Sequence, residues 1–220
     1  MNVSKTKLKH RAALCLIALV SLGGYSYAAP VATPGSTAVA GSTPGVTTAP
    51  VALGPVVRRK GELILADAMG PHAAIVVADK PLAAARDAAT IFQTLAQRTT
   101  GALLPIVAES RYNPKNAAVF IGDSQTIRKR GVVVAQDPLG EDHYVMRSGR
   151  TWLALVGNDT PFTSRAGDRT HRGSAYAVYD FFQRHGCGWY GPEDLWQVLP
   201  SLKVLSAPIL KVEELSLIHI

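Results

Sequence analysis

Three short stretches hold residue types that together could cleave an ester. In "GDS", residues 122–124, Ser124 could supply a nucleophilic hydroxyl. In "GND", residues 157–159, the Asn158 amide could donate to a developing oxyanion. In "DRTH", residues 168–171, His171 could take the proton of Ser124 while Asp168 orients the ring. Metal chemistry has less to work with. His171, His185 and Cys187 could be imagined around an ion, but His185-x-Cys187 joins a helix end to a strand and matches no usual zinc spacing. Capping a helix C-terminus is the plainer role for His185. No Gly-Lys-Ser/Thr element follows Gly122, so there is no phosphate loop. The sequence calls for no cofactor and no metal.

The three blocks follow the order of the nucleophile, oxyanion and acid–base blocks of the SGNH esterases. Those enzymes are similar in placing whole β–α units between blocks. Here a single loop joins Gly157 to His171, and the middle block lacks the residue between Gly and Asn. The parts fit and the spacing does not, so an esterase built on Ser124 and His171 stands as a remote alternative.

The elements that would position these residues begin near Val56. Residues 62–66 and 73–78 are apolar runs of strand type. A helix follows: Pro81 suits its first turn, Ala85, Ala89, Phe92 and Ala96 share one face, and Gly101 stops it. Residues 103–109 and 117–122 read as two further strands. "HYVMRSGRTWLALVG" reads as a hairpin around Ser148-Gly149-Arg150, where glycine tolerates the positive φ of such turns. A last helix starts near Ser174 as N-cap, carries Ala175, Val178, Tyr179 and Phe182 as one stripe, and ends at Gly186. A returning strand through Cys187 and Trp189 follows, and residues 198–214 close as two extended segments. The sum is an α/β (α+β) fold, a mixed β-sheet with two amphipathic helices packed on one face. The other sheet face then needs cover.

Ahead of this domain, residues 1–28 read as a secretory signal peptide. Lys5, Lys7, Lys9 and Arg11 precede an apolar run over residues 12–22, and Ser26 and Ala28 hold the small-residue cleavage positions. That run is far short of the roughly 20 residues a spanning helix needs, so no membrane partner is expected after cleavage. Residues 29–57 are a Pro/Thr/Ala/Gly-rich linker. The chain carries 23 Lys+Arg against 16 Asp+Glu, a formal +7. Four of those cations lie in the signal, which leaves 19 against 16, or +3. Arg58-Arg59-Lys60 and Arg128-Lys129-Arg130 are short solvated clusters, and nucleic acid is not indicated. Only Cys187 survives cleavage, so no internal disulfide forms and packing alone must hold the fold.

Packing directs attention to "RGSAYAVYDFFQRHGCGWYGP", residues 172–192, which holds six of the chain's fifteen aromatic residues. Rings at helical period belong to a core, and Tyr176 and Trp196 are left over for stacking on the flat faces of sugars. The stretch resembles a motif in the N-terminal domain of bacterial α-glucuronidases and β-N-acetylhexosaminidases and of related secreted glycosidase-like proteins. Gly173, Tyr176, Tyr179, Phe182, Trp189, Tyr190 and Pro192 carry the likeness. "AAARDAATIFQTLAQRTTGALLPIV" and "AAVFIGDS" fall in the same order of helix, strand, strand. The resemblance spans residues 62–204, and Gly188 stands where the family usually has Arg.

The resemblance implies an α/β accessory module, residues 58–214, packed against a catalytic (β/α)8 barrel that carries the catalytic acids. Glycoside hydrolysis needs two carboxyl groups within roughly 10 Å across the scissile bond. A barrel takes roughly 250 residues. No acid here inherits a family catalytic position, so the expected partners are a barrel of the same polypeptide and a polysaccharide. Residues 215–220, "LSLIHI", can be encoded by CTG TCT CTT ATA CAC ATC, the transposase-recognition end used in sequencing libraries. We therefore expect these residues to be an adapter artefact and the natural protein to continue beyond them.

Overall fold

A computed structural model of the chain describes residues 53–134, 142–161, 171–190 and 196–216. The signal peptide and all but the end of the linker lie outside the described residues, as does Pro192. No helix among the described residues is long and apolar enough to cross a membrane.

The chain enters through a small sheet. Strands β1 (Arg58–Arg59) and β2 (Glu62–Asp67) form an antiparallel hairpin whose two loop residues, Lys60 (φ 50°) and Gly61 (φ 87°), both adopt the left-handed region. That geometry matches the twist of a two-residue hairpin. β3 (Gly70–Pro71) adds to β2, and β11 (Val204–Ala207) pairs with β2 on its other side.

The main sheet has six strands: β4 (Ala73–Val77), β5 (Ile106–Ala108), β6 (Ala117–Ile121), β7 (Asp142–Ser148), β8 (Trp152–Gly157) and β12 (Lys211–Ser216). Their order is β12-β7-β8-β6-β4-β5. β8, β6, β4 and β5 run parallel, β7 runs against β8, and β12 pairs antiparallel to β7 and so runs in the direction of the other four. The two closing segments therefore separate, β11 to the small sheet and β12 to the edge of the large one. Leu215 and Ser216 sit in β12 opposite His143 and Asp142.

Two helices cover one face of the main sheet, as the sequence pattern requires. α1 (Ala83–Thr100) buries Ala85, Ala89, Phe92 and Ala96. It ends at Gly101, whose φ of 81° lets its N–H reach the Gln97 carbonyl at 2.8 Å. α3 (Gly173–Gln183) lies beside it, and Phe92 meets Phe181 and Phe182 at ring-centroid distances of 5.6 and 5.1 Å. Alternate residues of the strands, including Ile75, Val119, Met146 and Leu155, complete this core. Three details depart from the sequence reading. Pro81 precedes the N-cap Leu82 and stays outside the first turn. Arg172 is the N-cap of α3, because the Ser174 hydroxyl is engaged by Asp159. The buried face of α3 includes Phe181 and leaves Tyr179 half-buried, because this helix packs on both the sheet and α1.

The opposite face finds its cover in a helix the sequence reading lacks. α2 (Gln125–Lys129) has five residues, too few to show a helical period, and buries Ile127 against Val76, Phe120 and Val156. Tyr112 meets Phe120 edge-on at 5.2 Å, and the Arg130 guanidinium lies 5.2 Å from the Phe120 ring and 5.1 Å from Trp152. The β7–β8 turn also works differently from the expectation. Gly149 does not take a positive φ; the Trp152 indole occupies the space a Cβ would need.

Candidate functional site

Neighbouring strands β4 and β6 send the chain to opposite faces of the sheet. β4 leads into α1 on one side and β6 into α2 on the other. Where adjacent parallel strands diverge in this way, a crevice opens outside their carboxyl ends. In this chain that crevice is a cavity of about 460 Å³. It is bounded by Lys80 to Leu82 after β4, Asp123 and Arg128 after β6, and Gly157 to Asp159 after β8. A more open depression shares Lys80, Asp123 and Arg128 with it and extends over Glu109 and Ser124.

The polar groups of this edge are tied into the fold. Asp123 grips Arg128 through both carboxylate oxygens, one of them 2.7 Å from Nε, and this bond raises the pKa of the guanidinium. The Glu109 carboxylate accepts from the backbone N–H groups of Gln125 and Thr126 at the start of α2. Asp159 accepts from the Ser174 N–H at 3.0 Å and from the Ser174 hydroxyl at 2.6 Å. The same hydroxyl accepts from the Gly157 N–H at 2.9 Å. Burial is the strongest influence on Asp159 and pushes its pKa above the usual carboxylate range, against the pull of the Ser174 bonds. Gly157 and Gly173 make this junction possible. A Cβ on either would collide with the facing backbone, so α3 can start directly against β8.

The candidate esterase residues serve other ends. The Ser124 hydroxyl is buried and caps α2, accepting from the Ile127 N–H at 3.5 Å. The Asn158 side-chain oxygen accepts from the His143 N–H at 2.9 Å. The His171 Nδ1 lies 3.2 Å from Asp142, a carboxylate on β7, and Asp168 lies outside the described residues. Among the described residues no hydrogen bond joins Ser124 to His171. No group of three His, Cys, Asp or Glu among them is placed to hold a metal ion.

The aromatic block divides between core and surface. Phe182 is fully buried, and Tyr179 meets Trp189 edge-on at 4.9 Å. Tyr176 is half-buried, and desolvation raises its phenol pKa. Cys187 is buried and its thiol pKa is likewise raised by desolvation, which keeps it protonated and inert. A short ribbon follows. β9 (Gly188–Trp189) pairs with β10 (Gln197–Val198), and the Tyr190 N–H donates to the Trp196 carbonyl at 3.0 Å. Tyr190 is 76 % exposed and Trp196 53 %. The Tyr190 ring folds back over Gly188, where a Cβ would come within 2.7 Å of it. An Arg at this position, as in the resembling family, would displace that ring.

The acids that face the crevice were not singled out by sequence reasoning, although their neighbours were. "GDS" and "GND" each follow an apolar strand, and it is the middle or last acid, Asp123 or Asp159, that lines the cavity. The usable signal was strand–Gly–Asx repeated at the ends of two parallel strands. No family model matches the sequence, and no curated protein aligns with it as a relative.

Proposed function

We propose that residues 58–214 are a non-catalytic N-terminal module of a secreted carbohydrate-degrading glycoside hydrolase, whose task is to support a (β/α)8 catalytic barrel. The observation that carries the reading is the block from Gly173 to Tyr190. Its sequence resembles the accessory-domain motif, its inner face is packed core, and the ribbon it enters leaves Tyr190, Trp196 and Val198 exposed. Exposed rings suit a docking surface. The two acids that line the crevice, Asp123 and Asp159, support the non-catalytic part. One is neutralised by Arg128 and the other is held by Ser174. Export by the N-terminal signal belongs to the same proposal.

The test is co-expression of this module with the (β/α)8 barrel of a bacterial α-glucuronidase or β-N-acetylhexosaminidase. The expected outcome is a stable complex that Trp196→Asp and Tyr190→Asp disrupt. Without a barrel, the chain should associate in a concentration-dependent way through the same rings. Strictly monomeric behaviour, with no capture of the barrel, contradicts the proposal.

A second reading rests on the same pair of rings. Tyr190 and Trp196 are neighbours across the ribbon and both are exposed, as the residues of a sugar-stacking platform would be, making the chain a free-standing carbohydrate- or envelope-binding module. A glycan array distinguishes the two, since a docking scaffold binds no glycan through these rings.

A further inference from the structure

We propose that the crevice between the carboxyl ends of β4, β6 and β8 binds a compact neutral polyol, either a single sugar ring or the end of a saccharide chain. Topology gives the first argument. The cavity lies between the two strands whose following segments leave to opposite faces, which is where open α/β sheets bind their ligands. Its volume of about 460 Å³ falls within the roughly 300–1,000 Å³ of small-molecule sites.

The lining chemistry selects the class. Four planar polar side chains, Asp123, Arg128, Asn158 and Asp159, share the cavity. Asp123 and Asp159 already accept from Arg128 and Ser174, and the second lone pairs of their carboxylate oxygens suit the hydroxyls of a sugar. The four side chains supply donors and acceptors together, as hydroxyls require. Leu82, Val133 and Val134 add aliphatic surface to the same lining, which suits the C–H face of a ring. Leu82 and Val133 are exposed, and Val133 reaches 65 % exposure. The ionic groups balance, with Lys80 and Arg128 set against Asp123 and Asp159, so a strongly charged ligand gains little net field.

This site is separate from the accessory role. None of its residues belongs to the aromatic block, and failure of barrel docking leaves it standing. The test is a two-dimensional ¹H–¹⁵N titration of the full chain with D-glucose, D-xylose and xylotetraose, with sodium phosphate as an anion probe. We expect saturable shifts at Leu82, Asp123, Gly157 and Asp159 with a dissociation constant on the order of 1 mM for at least one saccharide. Saturation by a monosaccharide assigns a single ring, and saturation by xylotetraose alone assigns a chain end. Asp123→Ala and Val133→Asp, both at exposed positions, should each weaken binding about tenfold, roughly 1.4 kcal/mol, while the amides of α3 stay unmoved. The proposal fails if no saccharide shifts these amides at about 50 mM. It fails equally if shifts are confined to Tyr190 and Trp196, if phosphate alone saturates the crevice amides, or if both variants bind as the parent does.

Discussion

The aromatic block and the crevice lie on successive parts of one chain and use their residues in opposite ways. In the block, rings that look suited to ligand stacking are spent mostly on packing: Phe181 and Phe182 close against Phe92, and Tyr179 leans on Trp189. In the crevice, short polar side chains at strand ends leave an open volume. Residue type alone suggests the reverse assignment. Periodicity explains the first case, because rings three and four residues apart on a helix turn toward one surface. Topology explains the second, because diverging neighbours create space whatever residues border it.

Breaking the block should have the largest effect. Phe182→Ala removes a fully buried ring and should cost about 3–5 kcal/mol in urea unfolding. Tyr190→Ala, at an exposed ring of the same block, should stay within about 0.5 kcal/mol. Equal losses at the two positions would erase the division between core and surface.

Ser174→Ala comes next. Its hydroxyl links the Gly157 N–H to Asp159 inside the fold; removing it strands the Gly157 N–H and leaves Asp159 only the bond from the Ser174 N–H. We expect a loss of about 1–3 kcal/mol in the same unfolding measurement.

The smallest effect concerns pH. Burial raises the Asp159 pKa in the folded state, so its share of stability is fully present below the unfolded value and is lost as pH rises through the folded one. Asp159→Asn should therefore flatten the decline in stability just above the ordinary carboxylate range. Thermal melts across that range check it, and an unchanged slope in the variant contradicts the assignment.

Much of the frame was legible from sequence because long periodic segments announce themselves. The stripe Ala85, Ala89, Phe92 and Ala96 fixed both the existence of α1 and its inward face, and Gly101 marked its end. The alternation from His143 to Gly157 located the β7–β8 hairpin. Boundaries and caps were less legible, since they depend on partners remote in sequence. Ser174 resembles an N-cap until Asp159 takes its hydroxyl, and Pro81 resembles a first-turn residue until Leu82 takes the cap. α2 escaped because five residues carry no period. The His171 partner escaped because Asp142 is brought near only by the return of β7, whereas Asp168 is near in sequence. The crevice escaped for the same reason. It belongs to the order of strands in the sheet, which no local pattern records.

Amide hydrogen exchange on the folded chain, followed residue by residue, compares the two regions directly. Amides of Val178, Phe181 and Phe182 should exchange only through global unfolding, while those of Lys80, Leu82 and Asp123 should exchange through local opening. Exchange from α3 as fast as from the crevice rim would mean that the rings do not hold the fold together.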